Sequence, residues 1–82
     1  MTRMYDYRVC NAQSGHVTFV NGEWQGHVPL SEAAGATDPF ASCPQVWDYL
    51  QRVGPDGWEV VAVVVHTTND ASYDVIYLKR EL

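Results

Sequence analysis

Hydrophobic and polar positions alternate along the first ordered stretch of the chain. Across residues 4–10, Tyr5, Tyr7 and Val9 point one way and Asp6 and Arg8 the other. That is the period of a half-buried strand. Residues 16–27 hold two short β-prone runs around Asn21-Gly22, a pair that favours the type I′ turn of a two-residue hairpin. The turn predicts Val20 opposite Glu23, Phe19 opposite Trp24, Thr18 opposite Gln25 and His16 opposite His27. Residues 28–42 carry Pro29, Gly35 and Pro39 among small residues. They read as an irregular loop or arm with at most one helical turn at 31–34.

The period then changes. Val46, Tyr49, Leu50 and Val53 follow the i, i+3, i+4, i+7 spacing of a helix over 44–53 with one buried stripe. Pro44 suits its first turn, and Ser42 or Cys43 lies at the cap position. Asp48 and Arg52 sit one turn apart on its outside. Gly54 in a left-handed conformation and then Pro55 end it. The segments 58–67 and 73–80 are apolar on both faces, and their β-branched density favours strands. An Asn69-Asp70 turn pairs Glu59 with Arg80, Val61 with Leu78, Ala62 with Tyr77, Val63 with Ile76 and Val64 with Val75.

These elements predict an α+β domain spanning 1–82, an antiparallel sheet of four to five strands with one α-helix packed on one face. Val61, Val63, Val65, Ile76 and Leu78 supply the face under the helix. The other face carries Val60, Ala62, Val64, Tyr73, Val75 and Tyr77, and one helix leaves nothing to cover it except the 28–42 segment or a second subunit. Exposed apolar patches of this kind mark interaction surfaces. An apolar run such as Val60–Val65 is an aggregation hazard on an edge, so it is expected at the centre of the sheet.

Composition sharpens this expectation. The chain has 82 residues, of which 46% are hydrophobic and 18% charged, against about 25% charged in an average domain. A small chain needs more polar cover than a large one. The shortage therefore points to self-association or to an apolar ligand cleft. Ten acidic residues against five basic ones disfavour a nucleic-acid partner. No apolar run reaches the roughly 18 residues of a membrane span, and no signal pattern opens the chain, which predicts a cytoplasmic protein. Cys10 and Cys43 lack metal-like spacing and read as a reduced, buried pair.

Leu50-Gln51-Arg52-Val53-Gly54-Pro55-Asp56-Gly57-Trp58-Glu59-Val60-Val61 resembles the helix, turn and Gly-Trp-Glu signature of the domain-of-unknown-function 4177 family. Tyr77-Leu78-Lys79-Arg80-Glu81-Leu82 resembles its closing strand and Tyr5-Asp6-Tyr7-Arg8-Val9 its opening strand. The resemblance covers residues 5–9 and about 46–82; residues 11–45 look like a hairpin-and-loop insertion. It implies a small sheet packed by one helix and brings no catalytic residues.

Candidate chemistry is sparse. His16 and His27, opposite each other on the predicted hairpin, are the best metal or proton-transfer candidates, but two ligands do not make a zinc site. The reading as a pair of exposed histidines on a polar face takes precedence. Cys43 at a helix N-terminus is placed to favour a thiolate, without any accompanying oxyanion motif; the alternative is a cap-adjacent structural residue. Glu59 beside Trp58 reads as an ion-pair partner of Arg80, and Trp58 as a core residue where the turn meets the sheet. Arg8, Arg52 and Arg80 are the available anion-binding groups. No cofactor or metal is implied.

Two functions follow from these readings. The first is a non-catalytic homo-oligomeric interaction module, a dimer by first choice, with Val60, Ala62, Val64, Val75 and Tyr77 at the interface. The second is a small-molecule-binding protein with a pocket at the subunit interface. Its ligand set would draw on Trp24, Tyr73, Tyr77, Arg8, Arg80, His16 and His27. No constellation joins nucleophile, base and charge stabiliser, which points away from an enzyme.

Overall fold

A computed structural model describes residues 2–82. The chain runs β1 (Tyr5–Gln13), β2 (His16–Val20), β3 (Glu23–Trp24), α1 (Leu30–Ala33), α2 (Val46–Val53), a 3-10 turn (Gly54–Asp56), β4 (Glu59–Thr67) and β5 (Ser72–Glu81). The strands form one antiparallel sheet in the order β3-β2-β1-β5-β4. The fold is α+β as expected. No helix among the described residues is long and apolar enough to cross a membrane.

Two left-handed turns build the N-terminal meander. Asn21 and Gly22 have φ of 49° and 83°, the type I′ pattern, and Val20 faces Glu23 and Phe19 faces Trp24 as predicted. Gln25 N donates to Thr18 O at 2.8 Å, but β3 stops there. His16 instead bridges to Gln45, so the predicted His16–His27 pairing does not form. A second such turn at Ser14 (φ 52°) and Gly15 (φ 78°) joins β1 to β2. A bulge in the β1–β2 ladder leaves Thr18 without a partner residue. It is fully buried, its Oγ1 lying 2.9 Å from Gln13 Oε1 and 3.3 Å from Asn11 O.

The core face of β1 is the set that the alternation left out. Arg8 lies opposite Leu78, and Cys10 opposite Ile76 and Val20. Tyr7 and Val9 are exposed on the far side. Cys10, Ala12, Val17, Ile76 and Leu78 meet Tyr49, Val53 and Trp58 in the core, with Val20, Val46 and Leu50 packed around them. The predicted helical stripe is thus the buried one. Burying a side chain of the size of Leu or Val contributes about 1.5–3 kcal/mol.

The ends of α2 differ from the sequence reading. Its N-cap is Gln45, extended at φ -65° and ψ 151° with no side-chain cap bond. Backbone bonds hold this end: Val17 N to Pro44 O at 2.8 Å and Val46 N to Gly15 O at 3.0 Å. Pro44 is therefore drawn out along β2 rather than wound into the first turn. Gly54 is right-handed at φ -55° and the chain continues into the 3-10 turn. The left-handed residue is Gly57, at φ 95°.

β5 lies inside the sheet between β1 and β4, and β4 is an edge strand, contrary to the expected central placement. The long β1–β5 ladder, Tyr5 opposite Glu81 through Ala12 opposite Asp74, takes the inner position. The β4–β5 register matches expectation from Ala62–Tyr77 to Val64–Val75. A bulge at Val61 then slips it by one residue, placing Glu59 opposite Lys79 and Val60 opposite Leu78. The predicted Glu59–Arg80 and Val61–Leu78 pairs are lost. The Cα radius of gyration is 13.9 Å, above the roughly 12 Å of a compact chain of this length, in a body measuring 50 × 28 × 19 Å.

Candidate functional site

Two features stand out from an otherwise ordinary small fold. The first is the free edge. All nine residues of β4 are exposed. The helix lies over the β2–β1–β5 part of the sheet and leaves Val61, Val63 and Val65 at 55%, 55% and 64% exposure. These residues were expected under the helix. The bulge at Val61 also moves Val60 onto the face of Leu78, because directly opposed residues share a face. Ala62, Val64 and Tyr77 remain together on the far face, beside Val9 and Tyr7 of β1. Val75 is on that face but already buried. Of the expected interface set, Val60 and Val75 therefore drop out of the open far-side patch.

The second feature is a cleft of about 500 Å³ between α2 and the β2–β3 hairpin. Arg8 and Tyr49 form its inner wall. Arg8 Nη1 donates to the Tyr49 hydroxyl at 2.8 Å, and the guanidinium carbon lies 4.3 Å from the centre of the Trp58 ring. Arg52 does not pair with Asp48 but turns over the Tyr49 ring at 5.4 Å. Val20 and Val53 give the cleft apolar walls, while Asn21, Glu23, Gln25 and Asp56 stand at its rim. Burial pushes the Tyr49 hydroxyl above its usual pKa; the charge of a Cys10 thiolate would add to this, and Arg8 pulls the other way. Burial also raises the Cys10 thiol, against the opposing pull of Tyr49 and Arg8.

The other sequence candidates are dispersed. Arg80 pairs with Asp6 at 3.2 Å and covers Trp58 at 4.6 Å. Glu59 meets Lys79 at 3.6 Å. Trp24 packs edge-on against Phe19 at 5.4 Å and donates its Nε1–H to Val28 O. Tyr73 stacks on His66. His16 Nδ1 lies 2.9 Å from Cys43 O and His27 Nδ1 3.2 Å from Ser42 O. A carbonyl only accepts, so each Nδ1 carries the proton. The two histidines thus anchor adjacent residues of the 28–43 segment. Within one chain the residues of the expected ligand set lie apart, and Arg8 alone of them lines the cleft. Cys43 is buried ahead of the helix, and burial raises its thiol, opposite to the activated thiolate considered from sequence. Among the described residues no group of three or more His, Cys, Asp or Glu is placed to hold a metal ion.

Tyr49 and Asn21 were read as core and turn residues, and their part in the cleft was missed. Arg8 and Arg52 were legible in the sequence as anion-binding groups, but nothing along the chain marks Tyr49 as the residue between them. Comparison with family models, curated proteins and solved structures finds no match for the chain.

Proposed function

We propose that this protein is a non-catalytic interaction module that pairs with a second copy of itself through the β4 edge. The observation that carries the reading is a nine-residue edge strand whose central residues, Val60 to Val65, are all apolar. Native proteins blunt such edges with charge, proline, bulges or cover; β4 has Glu59 and the Val61 bulge near its start, and Ala62 to Val65 carry none of these. An antiparallel pairing centred on Val63 is self-complementary. It sets Ala62 opposite Val64 of the other copy and Glu59 opposite Thr67, so no like charges meet.

The edge is about 30 Å long at some 3.3 Å per residue and about 10 Å thick, or roughly 300 Å² per copy. A standard interface uses about 800 Å² per partner. The expected assembly is therefore a dimer that dissociates on dilution. Two buried thiols without a disulfide support a cytoplasmic location. Membership of the domain-of-unknown-function 4177 family is part of the same proposal. It is supported by the signature residues, which form α2, the 3-10 turn and the start of β4 as that resemblance implies.

Light scattering coupled to size exclusion over a dilution series tests the function. The expected result is a mass moving from two chains toward one as concentration falls. A mass of one chain throughout the micromolar range refutes it.

A further inference from the structure

The cleft carries an inference independent of the β4 edge, since it lies at the opposite end of the strand order. Acidic residues outnumber basic ones two to one in this chain. The ion pairs among the described residues use Arg3, Lys79 and Arg80. Arg8 and Arg52 have no carboxylate partner, although both flank the same tyrosine. Arg8 is half-buried and fixed from two sides, by the Tyr49 hydroxyl and by the Trp58 ring. A guanidinium has five N–H donors in a rigid fork, and only one of these meets a side-chain acceptor here. A cation held in place with its fork unfilled is preorganised for a planar anion.

The surroundings narrow the ligand. Val20 and Val53 offer apolar contact beside the arginines. Glu23 and Asp56 at the rim add two negative charges, which oppose a polyanion such as a nucleotide polyphosphate. About 500 Å³ lies within the range of small-molecule sites. We propose that this cleft binds a small monocarboxylate with an apolar body, its carboxylate seated between Arg8 and Arg52 and its body against Val20 and Val53.

The test is a titration of the isotopically labelled full chain with benzoate, followed by amide and arginine Nε–H resonances. Benzamide, sodium chloride at matched ionic strength and inorganic phosphate serve as comparisons. Benzoate is expected to give saturable shifts at Arg8, Asn21 and Val53, with benzamide and chloride giving none. Arg52→Gln is expected to weaken benzoate about tenfold and Arg8→Gln to abolish it. Arg52 is exposed, so its variant keeps the test valid should the Arg8 variant fail to fold. An absence of saturable shifts overturns the proposal, as does an unchanged affinity in Arg52→Gln. Phosphate binding as tightly as benzoate overturns the assignment to a carboxylate.

Discussion

The substitution Val63→Lys isolates the edge from the fold. Val63 is 55% exposed and sits at the centre of the expected self-pairing. Full burial of a valine is worth about 2 kcal/mol, so covering the exposed part contributes about 1 kcal/mol per copy and about 2 kcal/mol per dimer. Two lysines brought opposite each other at the surface add about 1 kcal/mol of repulsion. The sum, about 3 kcal/mol, weakens the dimer by roughly two orders of magnitude. The same change costs the isolated chain under about 1 kcal/mol, because a lysine stem covers the portion of surface that the valine buried. Sedimentation equilibrium gives the dissociation constant, and urea unfolding under monomeric conditions gives the stability. Tyr7→Lys is the control: Tyr7 is 62% exposed on the far face of β1, two strands from the edge, and its variant is expected to dimerise as the parent does. An unchanged dissociation constant for Val63→Lys refutes the edge. Dissociation by Tyr7→Lys alone would move the contact to the far face.

Three further outcomes follow from local geometry. A Cβ at Gly26 would overlap Ser42 Oγ and lie 2.7 Å from the Trp24 ring. Gly26→Ala should therefore lower stability by about 1–3 kcal/mol, and an unchanged urea midpoint contradicts this packing. Tyr49 and Cys10 both have raised folded-state pKa values, so the folded chain holds their protons more tightly than the unfolded one. Their contribution to stability is complete below the unfolded values, about 8.5 for the thiol and 10 for the phenol, and is lost as pH rises above them. Thermal midpoints should fall from about pH 8.5 upward, and less steeply above about pH 10 in Tyr49→Phe; identical slopes there would rule out Tyr49 as a source. Both cysteines are buried with raised pKa, so a thiol reagent should label neither until the chain unfolds. Prompt native labelling of Cys43 would contradict its burial.

Much of the local structure was legible along the chain. The Asn21-Gly22 hairpin, the α2 stripe and the inner register of the β4–β5 hairpin depend on neighbouring residues and on turn chemistry. The Ser14-Gly15 turn was legible by the same chemistry and was overlooked. The bulge at Val61 carried no such signal, since a valine among valines gives no mark of where a ladder will slip. Alternation in β1 gave the correct two faces but not which one would be covered. That choice fell to the face carrying Cys10 and Ala12, whose small side chains admit the helix, while the bulkier Tyr7 stayed outside.

The sequence by itself determined that this chain has more apolar strand surface than one helix can cover. Hydrophobic excess is a property of composition and period, and it concentrates in Val60–Val65 whatever the strand order. Tertiary structure alone decided where the excess would lie. Strand order is set by which long ladders form, and the β1–β5 pairing enclosed β5 and left β4 with one free edge. It also decided the partner of Arg8, because a tyrosine 41 residues away in sequence reaches it only when α2 folds across β1.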